Sequence, residues 1–252
     1  MGEAILSRLI ANNAYLPSDI CVSDPMPERR DLLAKKYGVQ VTPNNLVAAE
    51  AEIMLLAVKP QSLNAAAIGL ADSPAPCVVS ILAGVTLAQL EAMFPSKSII
   101  RAMPNTPAQV GAGVTAIAAN ALATSEHLGL AQKIFSAVGT VVEVAESLMN
   151  AVTGLSGSGP AYVAVMIEAM ADGGVAAGLP RAIALQLATQ TVLGTAQLIT
   201  ETKLHPAQLK DQVTSPAGTT IAAIAQLEKA GLRSAMIEAV LAATRRAEEL
   251  GS

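Results

Sequence analysis

Aromatic side chains are nearly missing. The 252 residues include no tryptophan, two phenylalanines and three tyrosines, so the stacking platforms that hold single-stranded nucleic acid are lacking. A dominant charge is lacking too. The 16 Lys and Arg against 20 Asp and Glu give a net charge of −4, which leaves no basic footprint for nucleic acid or for an anionic membrane. Only two cysteines occur, Cys21 and Cys77, far apart in apolar runs. They suit a reducing cytoplasm and no disulfide framework. Two histidines, His127 and His205, and no Cys-x-x-Cys point to no metal site. No signal-peptide pattern opens the chain, because Glu3 and Arg8 fall within a helical pattern.

Hydrophobic residues make up 52 % of the chain, yet no run reads as a membrane span. The uncharged stretches at 102–125 and 147–167 are interrupted by Pro, Gly, Asn and Ser, which would break a lipid-exposed helix. The stretch at 182–200 carries Gln and Thr throughout and reads as a buried helix of a soluble protein.

The first half alternates helical patterns with short apolar strands at 19–23, 39–41, 53–58, 77–82 and 98–102, with further strands at 113–119 and 140–144. Fully apolar strands separated by helices predict a mostly parallel sheet covered on both faces. From about residue 146 no strand pattern remains, and helices are expected over 161–174, 181–200, 205–213, 220–229 and 233–250. The division is therefore 1–146 for a dinucleotide-binding α/β domain and 147–252 for an all-helical domain. Two of the helices are apolar nearly all round, at 162–171 and 183–199, and such helices must be buried on every side. A half of roughly 100 residues has little interior of its own, so an intertwined helical oligomer is expected.

In an open α/β sheet, ligands sit outside the carboxyl ends of the strands. Asp24, Ala57-Val58-Lys59-Pro60, Leu82-Ala83-Gly84 and Met103-Pro104-Asn105-Thr106-Pro107 all fall at such ends. An acid at the position of Asp24 would bind the adenine ribose, although Asp24-Pro25 also reads as a plain turn. Arg29 and Arg30 follow where a ribose 2′-phosphate would need a cation. Gly157 and Gly159 suit either close helix packing or ligand approach. Ser215-Pro216-Ala217-Gly218-Thr219-Thr220 precedes a helical run. Hydroxyls there are either helix caps or, with the free N–H groups behind them, a seat for an anion.

Together these stretches resemble pyrroline-5-carboxylate reductases. The residues that carry the resemblance are Ala-Val-Lys-Pro at 57–60, Arg-Ala-Met-Pro-Asn-Thr-Pro at 101–107, Thr-Gly-Leu-Ser-Gly-Ser-Gly-Pro-Ala-Tyr at 153–162, Glu-Ala-Met-Ala-Asp-Gly-Gly at 168–174, and the signature stretch from His205 to Thr220. The resemblance implies a Rossmann-like domain, a helical domain that dimerises with assembly up to a decamer, and reduction of a cyclic imine by NADPH or NADH to L-proline. It implies a cofactor lined by Asp24, Asn45, Ala57, Val58, Lys59, Pro60, Ala83 and Gln212. The substrate would meet Glu146, Gln212, Gly218, Thr219 and Thr220, with the Thr220 and Ser215 hydroxyls at the reacting centre.

One departure stands out. The chain begins Met1-Gly2-Glu3-Ala4-Ile5 inside a helix, where a dinucleotide-binding fold has a strand and a G-x-G turn ahead of it. The expectation is a domain short of its first strand and glycine loop, through a late start site or a deliberate shortening. A non-catalytic oligomer that has lost cofactor binding is the alternative this departure supports. A reductase of β-hydroxy acids would need a catalytic lysine in a long helix, and no lysine lies between Lys133 and Lys203.

Overall fold

Three residues of the first helix set the layout of the sheet unit. In the computed structural model, which describes Met1–Gly251, helix α1 (Gly2–Ala11) buries Ile5, Leu6 and Leu9. Ile5 and Leu9 pack with Val79, Ile100 and Ile117, whereas Leu6 packs with Leu33 and Val39. The helix therefore serves two sheets at once. Strand β1 (Cys21–Ser23), helix α2 (Pro27–Tyr37) and β2 (Gln40–Thr42) form a parallel pair. Short α3 (Asn45–Ala48) leads to β3 (Ile53–Leu56), α4 (Leu63–Ala66), β4 (Cys77–Ser80), α5 (Leu87–Met93), β5 (Ser98–Pro104), β6 (Gly113–Ala119), α6 (Ser125–Ser136) and β7 (Gly139–Glu143). The last five strands form a second sheet in the order β3-β4-β5-β6-β7. Helix α1 runs from Gly2, and β1 and β3 belong to separate sheets.

Strands β3, β4 and β5 are parallel, as expected, but β6 runs antiparallel to β5. The cause is the connection. Only a 3-10 turn (Thr106–Val110) closed by Gly111 at φ 77 joins them, far too short for the crossover that parallel strands need. From β6 to β7 the chain has α6 to carry it across, and those two strands are parallel.

The sheet's apolar runs are covered on both faces. On one face Val78, Leu90, Phe94 and Ile99 pack together, and on the other Val79, Ile134, Phe135 and Val138 do. Each such side chain contributes roughly 1.5–3 kcal/mol when fully buried. From Glu146 the chain turns back along the first of these faces through a 3-10 turn, α7 (Met149–Val152) and a π-helical turn at Thr153–Gly157. Met149 is fully buried against this face, and Gly157 lies against Met103 of β5. The chain thus reaches the carboxyl end of β5.

Residues Met1–Ser158, with the chain from Ala242 on, form one compact unit, and Gly159–Leu241 forms the other. The second unit consists of α8 (Gly159–Ala176), α9 (Arg181–Thr202), α10 (Pro206–Gln212), α11 (Thr219–Lys229) and the first half of α12 (Leu232–Gly251). Helices α8 and α9 pair through small residues, Ala171, Ala184 and Ala188, backed by Ile167 and Val175. A β-carbon at Gly174 would sit 3.1 Å from that of Ala184, so the glycine allows the close approach. Little else is buried in this unit. Val165, Leu187 and Leu193 are 65, 53 and 57 % exposed, although their helices are apolar nearly all round. The threonines of α9 add little polarity to its surface. Thr189, Thr195, Thr200 and Thr202 donate to the carbonyls four residues back. By length and composition α9 would suffice to cross a membrane.

Candidate active site

In the sheet unit, the predicted cofactor residues follow the carboxyl ends of four strands, β1 to β4. The N-terminus of α1 meets the end of β3: a β-carbon on Gly2 would stand 3.1 Å from Ala57 Cβ. No side chain caps this helix at Met1, so its first N–H groups keep their donor capacity. Ala57, Val58, Lys59 and Pro60 follow β3 as an exposed stretch that turns at Pro60–Ser62. Ala83 is exposed in the turn after β4.

The β1 end is more tightly organised. Asp24 accepts the Met26 N–H at 2.9 Å and so shapes the entry to α2. Ser23 donates to Asn45 Oδ1 at 2.7 Å, and Asn45 Nδ2 donates to the Ala66 carbonyl at 3.0 Å. The turn read from Asp24-Pro25 is present, and one carboxylate oxygen of Asp24 makes it. Arg30 is tied to the Asp24 and Pro25 carbonyls at 2.8 and 3.0 Å. Arg29 reaches Glu3 in the first turn of α1 at 2.6 Å. Lys36 and the Tyr37 hydroxyl also donate to Glu3, at 3.0 and 2.8 Å. Arg29 above all, then Lys36 and Tyr37, hold the Glu3 carboxyl well below its usual range, at about 2.

Glu146 also belongs to this unit, and the structure gives its carboxylate two protein partners. It accepts the Leu87 N–H at 2.5 Å and pairs with Arg101 at 3.2 Å. Asn105 makes a second link of this kind. Its Oδ1 accepts the Val114 N–H at 3.0 Å and its Nδ2 donates to the Ser156 carbonyl at 3.2 Å. That bond ties the end of β5 to the π-helical turn, a deviation that recurs at functional sites. The motif at 101–107 by itself names no partner for Arg101 or Asn105. The available signal was a charge inside the apolar run Ile99-Ile100-Arg101-Ala102, since a buried charge needs a partner.

In the helical unit the signature stretch makes one compact turn. Gly218 N–H donates to the Ser215 carbonyl at 3.0 Å, across Pro216 and Ala217. Ala217 has φ 54, the left-handed conformation that the third position of a type II turn requires. Gly218, not a hydroxyl residue, is the N-cap of α11, and Thr219 and Thr220 open the helix. A β-carbon at Gly218 would run into Ser215 Oγ. The glycine therefore brings the Ser215 hydroxyl onto the uncapped helix start, where N–H groups and the dipole favour an anion. Gln212 ends α10 on an exposed turn just before it.

Comparison with known proteins agrees with both halves. Residues 146–250 match the family described as pyrroline-5-carboxylate reductase dimerisation, and residues 1–84 match the one described as NADP oxidoreductase coenzyme F420-dependent. A pyrroline-5-carboxylate reductase from Synechocystis is 63 % identical over 253 residues, spanning all of this chain and 95 % of that protein. The solved structure of such an enzyme from Coxiella burnetii superposes with a TM-score of 0.95 at 39 % identity, covering 100 % of this chain and 95 % of the other. A Plasmodium falciparum pyrroline carboxylate reductase with NADP bound gives 0.87 at 29 % identity, with 100 and 95 % covered. With such identity along its whole length, this chain belongs to the pyrroline-5-carboxylate reductase family.

Proposed function

We propose that the chain reduces L-1-pyrroline-5-carboxylate to L-proline, the last step of proline biosynthesis, with NADPH as donor and NADH as a second candidate. The observation that carries the reading is the uncapped start of α11 behind Gly218, with Ser215 Oγ against it. The N–H groups of Thr219 and Thr220 receive the substrate carboxylate there. Ser215 and Gln212 supply further donors, and the Thr220 hydroxyl orients the ring nitrogen.

The residues of the sheet edge fit a dinucleotide. Gly2 lets the N-terminus of α1 lie close to Ala57 at the end of β3, and a helix N-terminus favours a pyrophosphate. Asp24 and Asn45 suit the adenosine end, and Ala57, Val58, Lys59, Pro60 and Ala83 the rest. NADPH supplies the hydride. None of Ser215, Gln212, Thr219 or Thr220 is a strong acid, so the imine binds already protonated and the protein's task is positioning. Arg29, in the sheet unit and held by Glu3, suits a 2′-phosphate, while Asp24 suits a free 2′-hydroxyl. The ratio of kcat/KM for the two cofactors measures which prevails.

A homo-oligomer is supported by the dimerisation family match, and we take it as a dimer that assembles to a decamer. Two unpaired cysteines, with the buried Cys77 thiol pushed up to about 11, suit a reducing cytoplasm. Thr220→Ala tests the mechanism. Its expected loss in kcat/KM is about tenfold or more, largely recovered in Thr220→Ser, since one hydrogen bond to a charged group is worth about 1.5–3 kcal/mol. Full kcat/KM in Thr220→Ala would remove the role.

A further inference from the structure

Arg101 lies on the central strand β5, directly opposite Ser80 of β4, with its side chain only 7 % exposed. A guanidinium in that setting is costly unless a carboxylate answers it. The answering group is Glu146, which the chain brings back after β7, and Glu146 accepts from Leu87 N–H with the same oxygen. Leu87 is the first residue of α5. The segment between the end of β4 and Leu87 is the turn that carries Ala83. That turn is also closely approached from another side. At Gly84, a β-carbon would stand 3.2 Å from the carbonyl oxygen of Leu250, at the end of α12. A buried cation, a carboxylate and one backbone N–H thus form a relay from the middle of the sheet to a turn on its carboxyl edge.

We propose that Arg101 is a positioning residue: acting through Glu146, it fixes the turn that bears Ala83 and so the cofactor's fit. The inference rests on the reductase reading for its consequence, and on the relay for its geometry. Arg101 touches no reacting atom in this account. Its leverage is that a shift of about 1 Å in a positioning group is enough to lose about a hundredfold in rate. The same relay gives Glu146 a role distinct from direct contact with the imine.

The test is a double-mutant cycle of Arg101→Met and Glu146→Gln, with Arg101→Lys as the conservative variant. Arg101→Met is expected to raise KM for NADPH about tenfold while KM for the imine stays within about twofold. Arg101→Lys should recover most of that loss. Because the two groups act in series, the double variant should be no worse than the worse single variant. Amide exchange at Leu87 should quicken in Arg101→Met and in the double variant, while exchange at Ile99 and Ile100 in β5 stays slow. An unchanged cofactor KM in Arg101→Met, or losses that multiply in the double variant, would overturn the proposal. So would a Glu146→Gln effect on the imine KM alone, which would return Glu146 to substrate contact. Should Arg101→Met fail to fold, Glu146→Gln and Arg101→Lys carry the same comparison. A parent chain that oxidises no NADPH overturns the reductase reading, and Leu87 exchange still decides whether the relay exists.

Discussion

The sheet unit and the helical unit solve the problem of burial in opposite ways. In the first, Ile5, Val78, Phe94, Ile100 and Phe135 lie fully within the unit's own core. In the second, the buried apolar residues are Ala171, Ala184, Ala188 and Leu209, and large side chains such as Val165 and Leu193 face outward. A set of helices this apolar is a poor surface for a monomer, since large exposed apolar patches mark interaction sites. The sheet unit carries its interior with it, whereas the helical unit expects a second copy to complete one. The match to a dimerisation family over residues 146–250 falls on that second region.

Placing a charge on each unit breaks the comparison most sharply. Leu193 and Leu122 are 57 and 54 % exposed, one in α9 and the other in the loop before α6. Leu193→Asp should reduce the oligomer to monomer, because an unpaired charge in an apolar interface costs several kcal/mol. Leu122→Asp should shift stability by no more than about 0.5 kcal/mol, as a surface change does. Sedimentation velocity reads both, and equal behaviour of the two variants would contradict the contrast.

The next effect is smaller and lies in the sheet unit. Glu3 keeps its charge to about pH 2 in the folded chain, against an ordinary value of 4.5. A depressed carboxylate stabilises the fold fully above its unfolded value and loses that contribution as pH falls through the folded one. The network of Glu3, Arg29, Lys36 and Tyr37 should therefore support the fold above about pH 4.5 and fade between there and about 2. Glu3→Gln should lower the melting temperature near neutral pH and flatten its decline in that acid window, as followed by circular dichroism. The exposed pairs of the helical unit, such as Arg181 with Asp172, contribute about 0–1 kcal/mol each.

The smallest effect is at the signature turn. Ala217 holds φ 54, which costs a residue with a β-carbon roughly 1–2 kcal/mol. Ala217→Gly should relieve this strain, offset in part by the freedom glycine adds to the unfolded chain. The expected net gain is below about 1 kcal/mol in chemical denaturation. A loss of stability would mean that the turn is not strained at Ala217.

Much of this architecture was legible in the residues, for reasons that differ by region. Apolar runs such as Cys77–Ser80 and the stop at Gly38, which caps α2 at φ 70, announce themselves locally. The direction of β6 did not, because an apolar strand reads the same both ways and the deciding fact is the short link at Thr106–Val110. The turn at Ser215–Thr220 was visible as a motif, yet hydroxyl caps were weighed there and the cap proved to be Gly218. Arg101 with Glu146 and Asn105 with Ser156 stayed hidden, since their partners lie 45 and 51 positions apart. Local pattern predicts elements, whereas links of that span emerge only when the sheet is assembled.

The reductase reading itself is tested most directly by mixing this chain with NADPH and the cyclic imine and following cofactor oxidation together with proline formed. The account predicts one proline for each NADPH oxidised. A folded, oligomeric sample that forms no proline would contradict it.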